Sequence, residues 1–144
     1  MRRLSIITLA LAVASTSALA LTVQHAMWSG KISGTEGSKL TGDVSMKATA
    51  DGKGTEVSVM LMGDANGATR PWHIHVGSCA KGGSVFGAAK AYTPLTTAGG
   101  GHAMTSATLA VAVPDTGSYY VNIHESAGNM GKIVACGDLS KHTM

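Results

Sequence analysis

The chain has 144 residues, with 11 Lys and Arg against 8 Asp and Glu, and only 13% of its residues are charged. That length is one domain's worth. There is no basic cluster, and the few aromatics are not interleaved with one, which argues against a nucleic-acid partner.

The chain opens on a targeting segment. Arg2 and Arg3 precede a largely apolar run from Leu4 to Ala14, and Ala18-Leu19-Ala20 is a small-x-small cleavage site. This is the pattern of a secretory signal peptide over residues 1–20, too short to span a bilayer permanently. The expected product is an exported domain of residues 21–144, periplasmic or secreted, with no membrane span. Without Arg2 and Arg3, nine basic residues face eight acidic ones, so the net charge falls to about +1.

Helical periodicity is hard to find beyond this point. Nineteen glycines punctuate short runs rich in Val, Thr, Ser and Ile, which predicts an all-β chain. Trp28 to Ser33 and Lys39 to Ala50 are the first two predicted strands. Asp51-Gly52-Lys53-Gly54 is a turn, and Thr55 to Met62 returns as the third strand of a hairpin, with Val57, Val59 and Leu61 on one face.

After a loop from Gly63 to Thr69 comes Pro71-Trp72-His73-Ile74-His75-Val76-Gly77-Ser78-Cys79. Trp72, Ile74 and Val76 alternate with His73 and His75, so both imidazoles face one way and the apolar set the other. Two imidazoles on one face of a rigid strand are half of a transition-metal site; two solvated surface histidines are the plainer reading.

Ala80 to Gly101 is a long irregular stretch, poor in apolar residues and expected to be tied down at its base. Met104 to Val113 is the next predicted strand, then a Pro114-Asp115-Thr116-Gly117 turn, a strand from Ser118 to His124, and a last strand from Lys132 to Cys136. About seven strands with frequent turns predict an antiparallel sandwich or barrel.

On the strand ending at His124, Tyr119, Val121 and Ile123 share the predicted core face, and Tyr120, Asn122 and His124 the other. His73, His75 and His124 therefore converge if their strands are neighbours. His102, after three glycines, is the fourth candidate; a solvated loop histidine is its other reading. His25 and His142 lie near the chain ends and are set aside. The two cysteines, Cys79 and Cys136, are most simply a disulfide in an exported protein, the rival being two free thiols with one on a metal. Neutral imidazoles suit Cu(II) or Zn(II), and a redox role requires copper.

These residues resemble a family. His73-Ile74-His75 followed by Gly77 and Cys79 resembles the copper-site strand of the copper/zinc superoxide dismutases. Val121-Asn122-Ile123-His124-Glu125 resembles their later copper-ligand strand, and Ala135-Cys136-Gly137 their C-terminal Ala-Cys-Gly. The motifs fall in the family's order, over about Trp28 to Leu139. The resemblance implies a Greek-key β-barrel with one copper ion on its outer wall, held by His73, His75 and His124, and a Cys79–Cys136 disulfide. It also implies superoxide as substrate, dismuted to oxygen and hydrogen peroxide.

The chain departs from the family pattern in three places. Ala80 to Gly101 holds no His, Asp, Glu or Cys, so the family's zinc site is not expected, and its metal-bridging histidine has only the distant His102 as a substitute. The family's anion-steering arginine, three residues before the second cysteine, is replaced by Ile133, leaving Lys132 or Lys90 as candidates for that role. Strict alternation would point Lys132 to the face opposite Ile133. A copper-only superoxide dismutase is thus the first expectation. A non-catalytic copper carrier is the second, with Met60, Met62 and Met104 as soft ligands or, more plainly, as core filling. A metal-free structural β-sandwich is the third.

Overall fold

The computed structural model describes residues 26–143. The expected signal peptide and His25 lie outside the described residues. Nine strands follow in order: β1 (Ala26–Gly34), β2 (Thr41–Ala48), β3 (Thr55–Met62), β4 (Thr69–Arg70), β5 (Trp72–Val76), β6 (Leu95–Thr96), β7 (His102–Leu109), β8 (Tyr119–Ser126) and β9 (Asn129–Thr143). A single 3₁₀ turn, Ala89–Ala91, interrupts them.

Seven strands form one antiparallel sheet in the order β5-β8-β9-β1-β2-β3-β7, curled into a half-barrel, and β4 pairs with β6 apart from it. The β1-β2-β3 meander is flanked on its β1 side by the last strand, the return expected of a Greek key. Inside the curl the alternating residues pack together. Val57, Val59 and Leu61 from β3, Trp72 and Ile74 from β5 and Val121 and Ile123 from β8 are all at most 1% exposed. The two indoles are each anchored by a hydrogen bond: Trp28 Nε1 donates to the Pro114 carbonyl and Trp72 Nε1 to that of Thr93.

Three expectations need correction. The last strand runs from Asn129 to Thr143, far past the predicted Lys132 to Cys136. It hydrogen-bonds to β8 on one side and β1 on the other, and that two-sided ladder holds residues too polar to read as a strand. Its approach to β1 is close: a Cβ at Gly137 would sit 2.4 Å from the Lys31 carbonyl oxygen, and one at Gly30 2.2 Å from that of Asp138. His142, set aside as terminal, pairs in register with Met27. Its Nε2 is 2.9 Å from the Ser29 hydroxyl.

The seventh strand begins at His102 and ends at Leu109, short of the predicted Val113. Val111 and Val113 still pack on the core from irregular backbone, and the Thr55 hydroxyl donates to the Val111 carbonyl.

Finally, the segment of residues 80–101 is not tied down at its base alone. Phe86, Tyr92 and Leu95 enter the core, with Leu95 fully buried. Val76 N–H donates to the Ser84 carbonyl and Phe86 N–H to that of Ile74, so the segment lies along β5. The Cys79–Cys136 disulfide is formed, with Cα atoms 6.0 Å apart across 57 residues.

Candidate metal centre

β5 and β8 are neighbours. Their register sets His73 opposite Asn122 and His75 opposite Tyr120, and His124 N–H donates to the Pro71 carbonyl. His124 therefore lies diagonally across from His73. The β8–β9 register shifts at this residue: Ile123 faces Ala135 but His124 faces Ile133. Such a bulge bends the strand and re-aims the side chain it carries.

One ring nitrogen from each of His73, His75 and His124 lies within 4.8 Å of the other two. Nitrogens sharing one ion at about 2.0–2.1 Å stand no more than about 4 Å apart, so closure requires movements of under about 1 Å. His102 is not in this group. It begins β7, opposite Met62, at the other end of the strand order.

Backbone carbonyls fix two of the three tautomers. His75 Nδ1–H donates to the Gly83 carbonyl at 2.9 Å and His124 Nδ1–H to that of Met130 at 2.7 Å. Each ring thus turns an unprotonated Nε2 toward the cluster. This outer hydrogen bond is the usual way a protein orients a metal-ligating histidine. The His75 Nε2 is buried and has no hydrogen-bond partner among the described residues, a costly arrangement unless something occupies the site. His73 offers Nδ1, 3.3 Å from the His124 Nε2.

The surroundings favour neutral rings. His73 is pushed down to about 4, by burial first and then by the neighbouring His124 and His75. His124 is lowered by burial too, against the opposing pull of the Met130 carbonyl. The Tyr120 ring stacks on His75 at 5.0 Å, and Tyr92 meets His73 edge-on at 5.2 Å. Three clustered imidazoles, one with a buried, unpartnered nitrogen, fit a transition metal.

The resemblance puts the histidines on an outer wall. The three do stand on the face opposite Trp72 and Ile74, but His75 and His124 are buried and His73 is part-exposed; from segment 80–101 the Gly83 carbonyl reaches His75 and Tyr92 meets His73, while Met130 lies against His124. Tyr120, assigned to the face away from the core, is 2% exposed, with its ring stacked on His75.

Lys132 is ion-paired with Glu125, and lines a cleft of about 640 Å³ with Ile133, Tyr120, Asn122 and the two cysteines. Lys132 and Ile133 thus reach one cleft, where alternation would separate them, at the point where the register slips. Lys90 is exposed on the 3₁₀ turn.

Several supporting residues have little or no signature in the sequence. Gly83 is one: a Cβ there would stand 1.6 Å from the Val76 carbonyl oxygen, so only glycine lets this backbone reach His75. The Gly82-Gly83 pair is its visible signal. Arg70 is another. It grips Asp64 with two nitrogens at 2.8 and 2.7 Å and donates a third bond to the Glu125 carbonyl, beside His124. No local pattern announces that pairing. No family model matches the chain, and no curated protein matches it.

Proposed function

We propose that this is an exported copper protein of superoxide dismutase type, with His73, His75 and His124 as its copper ligands. The observation that carries the reading is the buried His75 Nε2, which has no partner among the described residues, on a ring clustered with those of His73 and His124. A metal-free structural sandwich has no use for such an atom. The formed disulfide supports export to an oxidising compartment.

Bound copper would supply a one-electron couple able to oxidise one superoxide and reduce the next. The chain's own residues would do the rest. The Gly83 and Met130 carbonyls hold the His75 and His124 rings in the ligating tautomer. Tyr120 and Tyr92 wall the rings, excluding water from the buried side. The part-exposed His73 marks the side from which a small anion would arrive. Lys132 would contribute modest steering, since Glu125 offsets its charge.

Pulse radiolysis of copper-loaded protein tests catalysis. Turnover no faster than that of free aqueous copper would leave the non-catalytic copper-binding reading in its place. Electron paramagnetic resonance of the Cu(II) form tests the ligands: nitrogen coupling is expected, lost in His75→Ala and unchanged in His102→Ala.

A further inference from the structure

The outward face of β3 and β7 carries a group of side chains that the fold does not use. Along β3, Val57, Val59 and Leu61 point inward, leaving Glu56, Ser58, Met60 and Met62 part-exposed on the other face. Along β7, Ala103 and Ala107 are buried, and His102, Met104, Ser106 and Thr108 are exposed. Core filling, the plainer expectation for Met60 and Met62, does not hold: they face out.

The register puts Met60 directly opposite Met104 and Met62 directly opposite His102. Three thioethers and an imidazole thus occupy a two-by-two square at one end of an otherwise polar face. Directly opposed Cβ atoms lie about 4.5–5.5 Å apart and diagonal neighbours about 7–8 Å at most. An unbranched methionine spans such gaps easily, having three rotatable bonds.

Packing does not account for the group. Met46 is the methionine that fills the core, at 0% exposure, whereas Met104 is 74% exposed. Beside the square, Met60 and Met104 line a groove of about 330 Å³ together with Asp43, Ser58 and Val59. Asp43 stands opposite Met60 on β2 and pairs with Lys31. The donors include no carboxylate and no carbonyl. Thioethers select Cu(I), and a set without oxygen ligands has no attraction for Mg²⁺ or Ca²⁺.

We propose that Met60, Met62, Met104 and His102 form a second metal site, for the soft monovalent cation Cu(I), distinct from the three-histidine centre. The site lies toward the opposite end of the strand order from β5 and β8. Of the four candidate histidines, it uses the one that the first centre leaves out.

Protein labelled at its methionine methyls, titrated with Ag(I) as a redox-silent probe and then anaerobically with Cu(I), tests the proposal. The Met60, Met62 and Met104 methyl resonances are expected to shift together to saturation while buried Met46 stays still. The Met60→Leu, Met104→Leu double variant changes only solvent-facing positions. It is expected to weaken Cu(I) binding to these residues by about tenfold or more, and to leave the Cu(II) spectrum of the histidine centre unaltered. Three unmoved methyls, a shift confined to Met130 beside the histidine centre, or equal affinity in the double variant would overturn it.

Discussion

The Nδ1 of His73 lies 3.3 Å from the Nε2 of His124. Since His124 spends its only ring proton on the Met130 carbonyl, the proton between the two rings belongs to His73. A metal ion would take that proton's place, with His73 switching to its Nε2–H tautomer. Metal uptake near neutral pH is therefore expected to release almost no protons from this pair, because burial already holds His73 and His124 in the neutral form. Calorimetric titration in buffers of differing ionisation enthalpy measures this; release of a full proton per ion would contradict it.

The same desolvation makes the metal-free fold sensitive to acid. His73 titrates near 6.5 when unfolded and at about 4 when folded. Between those values the unfolded chain binds the extra proton, so stability should fall as pH drops from about 6.5 toward 4, and be indifferent to this group well above 6.5. Lowered His124 acts in the same direction. His73→Gln should flatten this window in a plot of Tm against pH. Asp64, held low mainly by Arg70, adds a further loss only at lower pH, as its carboxylate protonates.

Gly83→Ala should damage the metal centre without touching a ligand. Its Cβ would collide with the Val76 carbonyl, so the backbone must move and the Gly83 carbonyl leaves His75. Loss of an orienting hydrogen bond of this kind costs about 10–100-fold in metal affinity. A chelator-competition titration reads it, and unchanged affinity in a folded variant would show that the carbonyl does not matter.

Reducing the Cys79–Cys136 bridge frees a 57-residue loop. The chain-entropy account puts the loss at about 4 kcal/mol. Urea unfolding of oxidised protein and of the Cys79→Ser, Cys136→Ser variant should differ by about that amount.

Asp64→Asn should be among the most damaging single changes outside the core. Asp64 has only 4% of its side chain exposed and neutralises Arg70, itself 18% exposed. Arg70 is half-buried and keeps its bond to the Glu125 carbonyl, so losing its counter-charge is expected to cost about 1–3 kcal/mol. Replacing both partners together, Asp64→Leu with Arg70→Met, should restore much of that loss in the same unfolding assay.

Where residue spacing and strand period coincide, the chain is legible. Thr55 to Met62 is bounded to the residue, and His73 and His75 need only a strand's alternation to face one way. The Cys79–Cys136 pairing follows from the expected export and an even count. What could not be read came from long-range effects. The cover over His73 and His75 depends on Phe86, Tyr92 and Leu95 anchoring segment 80–101 along β5, which glycine-rich local sequence does not reveal. The length of β9 depends on ladders to two partners, so Gly131, Gly137 and Asp138 lie in a strand that their own propensities argue against. His102 and the outward methionines gain meaning only from the register of β3 with β7.

β5 is the end strand of the seven, and among the described residues its outer hydrogen-bonding edge meets no further full strand, only the short run of residues 84–86. That run works as a bandage: peeled away, it would leave the backbone of Trp72–Val76 bare, an invitation for a second molecule to zip onto it. Whatever keeps the covering down, cystine included, thereby also guards the solution against polymer.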